Sequence, residues 1–284
     1  MRFRLPLLFI VLLAASTHSE AIVIRDSVGD SGAVALGALP AYDSVGKLDR
    51  SGDITSGVLI DPLFVLTAKH VVPGGAAANA FTFTIGGFDY TSAGYSLSGT
   101  DDLAIIQLAL PVTNVTPALV YTGSAEVGKL ATLVGFGQGG VGTTGASGAR
   151  GTKRGATNTI SATTDPNLYT TGRWLYSDFD SGSPFDSYFS PFTQTADEGL
   201  IAPGDSGGGT FATIDSLNYL IGIHSSVWFY GSTNSNPYDY GDISGDVRVS
   251  TASSFIQSVV PEPSGIACLA LGLAVLGARR HRKR

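Results

Sequence analysis

The chain has 284 residues, a formal net charge of −6, only 14% charged residues, 43% hydrophobic residues and 37 glycines. That length gives room for one large or two small domains with a substantial core. The glycine-rich, charge-poor composition speaks against long charged helices and for many short strands joined by tight turns, an all-β chain. Between the two ends, residues 22–263 carry 10 basic and 22 acidic side chains, a net charge of −12 that argues against nucleic acid and anionic membrane as partners of the main domain.

Met1-Arg2-Phe3-Arg4 is a basic start, Leu5 to Ala15 is apolar, and Ser19-Glu20-Ala21 is a small-x-small site. These are the three parts of a secretory signal peptide over residues 1–21, whose removal leaves Ile22 as the new amino terminus. Strand-length apolar runs bounded by Gly, Pro, Asn and Asp follow: Gly57 to Ile60, Phe64 to Thr67, Ala80 to Ile85, Leu103 to Leu108, Ala131 to Gly135, Gly209 to Ala212 and Tyr219 to His224. Gly137 to Gly155 breaks the pattern. Rich in Gly, Ser and Thr, with Arg150, Lys153 and Arg154, it reads as an exposed linker between two β units, about residues 22–138 and 139–259. The pattern predicts no helix until Thr251 to Val259, where Ala252, Phe255, Ile256 and Val259 share one face.

Beyond Val260-Pro261-Glu262-Pro263-Ser264 lies an apolar segment from Gly265 to Ala278, closed by Arg279-Arg280-His281-Arg282-Lys283-Arg284. Its 14 residues fall short of the roughly 20 that span a bilayer comfortably. The order Pro-Glu-Pro, apolar stretch, basic end resembles the PEP-CTERM sorting signal of Gram-negative bacteria over residues 260–284. That resemblance implies an exosortase-type processing partner, transient membrane contact, and delivery to the cell surface or the matrix beyond it. The sole cysteine, Cys268, lies in this tail, so residues 22–259 contain no disulfide despite an exported destination.

The chemistry sits in three runs: Thr67-Ala68-Lys69-His70, Asp101-Asp102-Leu103-Ala104-Ile105-Ile106, and Pro203-Gly204-Asp205-Ser206-Gly207-Gly208-Gly209. A hydroxyl is a poor nucleophile at neutral pH. It needs a base to take its proton and a carboxylate to orient that base. His70 is one of two histidines left between the two terminal segments, the other being His224. Glycines around Ser206 suit a sharp turn that exposes the hydroxyl while backbone N–H groups face a developing oxyanion. Asp239, Asp242 and Asp246 lack an EF-hand pattern, and neither metal nor cofactor is expected.

Val65-Leu66-Thr67-Ala68-Lys69-His70, Asp102-Leu103-Ala104-Ile105-Ile106 and Gly204-Asp205-Ser206-Gly207-Gly208 resemble the histidine, aspartate and serine signatures of trypsin/chymotrypsin-like serine peptidases, in that family's order. Lys69 departs from the small residue usual before the histidine. The resemblance covers roughly residues 22–259 and implies two antiparallel six-stranded β-barrels with a short C-terminal helix. It further implies peptide or protein substrates, a catalytic set of His70, Asp102 and Ser206, and an oxyanion hole from the N–H groups of Gly204 and Ser206. Asp102 is preferred to Asp101 because Leu103 to Ile106 then falls at the family spacing. In the family, the residue at Asp205 pairs with a freed N-terminal Ile or Val amine, which Ile22 would supply. Ile24-Arg25 departs from the usual Gly-Gly after that pair.

The same resemblance places Leu200 where trypsin carries its aspartate for Lys or Arg, so a basic P1 preference is not expected. His224, beside Ser225, resembles the histidine with which glutamyl endopeptidases bind an acidic side chain, and the alternative is a satisfied strand histidine. Val227 near the pocket mouth favours small apolar side chains instead. A different class of function, a catalytically silent surface protein that binds or adheres, is disfavoured by the intact set of three.

Overall fold

The structure, a computed structural model, describes residues 22–183, 187–189, 194–230 and 237–261. The signal-peptide and sorting-tail expectations fall outside these residues, except Val260 and Pro261. Among the described residues, no helix is long and apolar enough to cross a membrane.

The chain enters as β1 (Ile22–Ile24) and a short helix, α1 (Gly29–Gly37). Six strands then close a barrel: β2 (Val45–Arg50), β3 (Asp53–Asp61), β4 (Phe64–Thr67), β5 (Thr82–Ile85), β6 (Phe88–Leu97) and β7 (Ala104–Leu108), in spatial order β2-β3-β4-β7-β6-β5. Alternation explains the inward faces. In β5, Phe83 and Ile85 are buried and Thr82 and Thr84 are not, while in β7 only Gln107 turns out. Leu48, Leu59, Val65, Phe81, Phe83, Ile85, Ala104, Ile106 and Leu108 fill the barrel. Fully burying each large side chain among them is worth about 1.5–3 kcal/mol over leaving it in water.

The second unit begins with β8 (Leu119–Val120), β9 (Leu130–Gly135), β10 (Gly139–Val141) and β11 (Gly145–Ala146). It continues through β12 (Arg154–Thr159), β13 (Trp174–Asp178), β14 (Gly199–Leu200), β15 (Gly209–Ile214), β16 (Leu217–Trp228) and β17 (Ile243–Arg248). Its main sheet has seven strands, β12-β9-β15-β16-β17-β13 with β8 paired to β16. This curled half-barrel stands where a second closed six-stranded barrel was expected. A single bridge, Ala162 to Tyr176, links the region after β12 to β13 in place of a ladder. The chain closes with α2 (Ser253–Val259), preceded by a 3-10 turn, and Ala252 and Ile256 anchor it in a core shared by both units. The closing helix therefore matches its sequence pattern.

Two parts depart from expectation. α1 went unpredicted because three of its nine residues are glycine and only Ala33 and Gly37 are buried, leaving no apolar stripe to read. The segment 137–155 is no exposed linker. β10 pairs in parallel with β1 and antiparallel with β11, and β1 pairs on its other edge with β14, making a four-stranded sheet. Gly139 and Gly140 are buried in it. Backbone pairing with strands remote in sequence leaves no side-chain periodicity.

Candidate active site

Each unit presents its share of the site beside the end of a strand. β4 ends at Thr67, and a 3-10 turn, Lys69–Val71, presents His70. Lys69, unusual at its place, turns away and donates from Nζ to the Ser98 carbonyl, 2.7 Å. Asp102 lies just before β7 and accepts from the His70 backbone N–H at 2.9 Å and from Nδ1 at 2.7 Å. A carboxylate only accepts, so the Nδ1 atom carries the proton and the Nε2 lone pair is free. Nε2 lies 2.8 Å from Ser206 Oγ, whose hydroxyl donates to it. Burial pushes the Asp102 carboxyl up, but donation from His70 and from Ser225 Oγ at 2.5 Å outweighs this and holds it below its ordinary value. Asp102 therefore stays ionised beneath the imidazole.

Asp101 is spoken for elsewhere. Its two oxygens take a fork from Arg173, Nε to Oδ1 and Nη2 to Oδ2, each 2.6 Å. This bidentate pair ties the loop before β7 to the segment leading into β13, in the second unit. A cleft of about 150 Å³ opens beside it, lined by Thr100, Asp101, Asp102, Tyr169, Arg173 and Trp174 among others.

The serine loop is held from several sides. Gly137 N–H donates to Asp205 Oδ1 and Ala202 N–H to Oδ2, both at 2.8 Å. Gln138 N–H reaches the Pro203 carbonyl at 2.7 Å. Ser56, on β3 of the first barrel, donates its N–H to the Ser206 carbonyl at 3.0 Å, while its Oγ donates to the Gly204 carbonyl at 3.1 Å. Gly207 must be glycine: its φ is +84°, and a Cβ there would come within 2.0 Å of Thr67 Oγ1. Among the described residues, the N–H groups of Gly204 and Ser206 donate to no protein acceptor.

Asp205 is fully buried, and that burial pushes its carboxyl up to about 6, against the pull of His224 and of the Gly137, Ala202 and Ile22 N–H groups.

The residues proposed for specificity are distributed as follows. Leu200 is buried in β14, packed with Val23, Phe179 and Ala202. Val227 and Ser225 are half-buried on β16. His224 is completely buried, with Nδ1 2.8 Å from Asp246 Oδ1 and 3.3 Å from Thr210 Oγ1. Its Nε2 has no hydrogen-bond partner among the described residues. Sequence reasoning missed Ser56 and Arg173. Their signal lies in long-range contacts that single runs of sequence do not carry.

A closed six-stranded barrel beside a curled β half-barrel, with histidine and aspartate from the first and serine from the second, is the architecture of the chymotrypsin-like serine peptidases. The profile of the trypsin family matches residues 40–256, and the chain belongs to that family. No curated protein shows a significant match to the chain.

Proposed function

We propose that this protein is an exported serine endopeptidase acting through an acyl-enzyme on Ser206. The observation that carries the reading is the continuous array Ser206 Oγ to His70 Nε2, His70 Nδ1 to Asp102, with bonds of 2.8 and 2.7 Å. Ser206 Oγ attacks the scissile carbonyl carbon while its proton passes to His70 Nε2. The resulting oxyanion accepts from the Gly204 and Ser206 N–H groups, a term worth about 3 kcal/mol per donor. Collapse breaks the C–N bond, and His70 returns the proton to the departing amine. Water then repeats the sequence on the acyl-ester, with His70 taking its proton, and regenerates Ser206.

P1 is not basic, since the position six residues before Ser206, where trypsin carries its aspartate, is the buried, apolar Leu200. Val227, half-buried on β16, supports a small apolar side chain, and the resemblance of His224 to the glutamyl endopeptidase histidine supports an acidic one. Cleavage before Ile22 would convert its amide nitrogen to an ammonium beside Asp205. That charge would draw the Asp205 carboxyl down from about 6 and lock the serine loop. The signal-peptide and PEP-CTERM patterns support export and processing at the tail.

The test is labelling of the exported protein with a fluorophosphonate probe, beside Ser206→Ala and His70→Ala. Labelling confined to the wild type, with peptidase activity down by about 10⁴-fold or more in both variants, is the expected result. A folded wild type that remains unlabelled overturns the reading and leaves a silent binding homologue. Sequencing the amino terminus checks whether it begins at Ile22, and a P1 library separates acidic from small apolar preference.

A further inference from the structure

The geometry points to Ser56 as a positioning residue for the oxyanion hole, a hydroxyl from the first barrel that sets the orientation of the serine loop in the second. The inference rests on the serine-peptidase reading above. Ser56 lies on β3, completely buried and remote from Ser206 in sequence, and among the described residues its hydroxyl hydrogen-bonds to none of His70, Asp102 and Ser206. Both of its donors are nonetheless spent on the serine loop. Oγ donates its one proton to the Gly204 carbonyl at 3.1 Å and accepts the Phe136 N–H at 2.9 Å. The backbone N–H donates to the Ser206 carbonyl at 3.0 Å, and the backbone carbonyl accepts from Thr67 Oγ1 at 2.9 Å.

The Gly204 carbonyl lies between the two N–H groups that face the oxyanion and the Ser206 carbonyl directly follows the second, so holding both carbonyls restrains the backbone turn that carries those N–H groups. Rotation of the Gly204–Asp205 peptide would turn the loop out of line and break the Oγ bond. The brace also reaches the other wall, because Phe136 adjoins Gly137, whose N–H holds Asp205 at 2.8 Å. Ser56 therefore joins three segments, β3, the end of β9 and the serine loop, at one hydroxyl. With no disulfide in residues 22–259, that hydroxyl provides part of the cross-linking that a preorganised oxyanion site requires.

The experiment compares the intact wild type with Ser56→Ala, Ser56→Gly and Thr55→Ala. Thr55 is the control: it is the adjacent buried hydroxyl, but it donates to the Leu48 carbonyl inside the first barrel and leaves the serine loop alone. The second-order rate of fluorophosphonate labelling at Ser206 is measured across pH, together with kcat and KM on a peptide pool and the urea midpoint. The phosphoryl oxygen of the probe occupies the oxyanion site, so the rate reads its alignment without knowledge of the natural substrate.

Ser56→Ala and Ser56→Gly are expected to lose at least ~10-fold in labelling rate and in kcat. KM and the pH midpoint of the profile stay put, and Thr55→Ala labels at the wild-type rate whatever its urea midpoint. Labelling of both Ser56 variants within about twofold of wild type overturns the proposal while leaving the peptidase reading intact. So does an equal loss in Thr55→Ala, which would make the effect general destabilisation. A folded but unlabelled wild type overturns both.

Discussion

The two halves of the molecule bury different chemistry. Inside the first barrel the buried polar groups are hydroxyls, Thr55, Ser56, Thr67 and Ser92, and among the described residues the only buried charge before β8 is Asp101, in the loop leading to β7. The second unit buries Glu126, Arg154, Asp178, Asp180, Glu198, Asp205, His224, Asp239, Asp242 and Asp246. Burying ionisable groups is costly unless each is paired or neutralised. The first barrel is thus a stiff mount that holds His70 and Asp102 at its rim by apolar packing. The second accepts that electrostatic cost around the serine loop and the strands beside it, where a carboxylate can be switched by protonation or by a new amine.

The sharpest test of that contrast is Phe83→Ala. Phe83 is completely buried among the apolar residues of the first barrel, and its loss should lower stability by about 3–5 kcal/mol, by the same amount at every pH. Urea unfolding at pH 5 and pH 8 measures it, and a shift that differs between the two would break the comparison. Arg173→Ala probes the junction between the halves. It strands the buried Asp101 carboxylate without its fork, a loss of about 2 kcal/mol that high salt does not reproduce because Asp101 is only 3% exposed. Arg173→Lys should restore part of it, lacking the bidentate geometry.

The smallest effect is the most diagnostic of the second unit. Burial and the neighbouring Asp180 push Glu198 up to about 8, against donation from Thr195. Between the ordinary glutamate value and that figure, the folded state holds a proton that the unfolded chain has released. Stability from this group is therefore full at low pH and lost as pH rises through about 8. Glu198→Gln should flatten that slope by about 1 kcal/mol or more and leave stability near pH 5 almost unchanged. A wild-type stability curve that rises from pH 6 to 8 would contradict it.

What was legible in the sequence follows the same division. The runs ending in Thr67 and beginning at Ala104 are continuous apolar strands, and with them His70 and Asp102 could be named. The choice of Asp102 over Asp101 rested on one residue of spacing, and the contacts separate the two cleanly, one on His70 and the other on Arg173. Ser206 was readable because a glycine-lined turn leaves a local mark. What could not be read is held by distant pairings: Ser56 meets Gly204 across 148 residues, and Arg173 meets Asp101 across 72. Likewise β10 takes its place by backbone pairing to β1, which no composition-based reading of glycine-rich sequence detects.

That β1 strand also sets an order of assembly. Its residues Ile22 to Ile24 pair with Gly139 to Val141 on one edge, and Val23 and Ile24 with Leu200 and Gly199 on the other. The first barrel, by contrast, closes using only residues between Val45 and Leu108. Closing a long loop costs entropy before any contact repays it, so the local barrel condenses early and the sheet around β1 late. The serine loop follows Leu200 directly, so the segment that carries the nucleophile is tethered through the pairing of Val23 with Leu200, partners far apart in the sequence. The histidine–aspartate mount thus needs only local pairings, while alignment of the serine, and with it the hydrolytic centre, depends on the long-range ones.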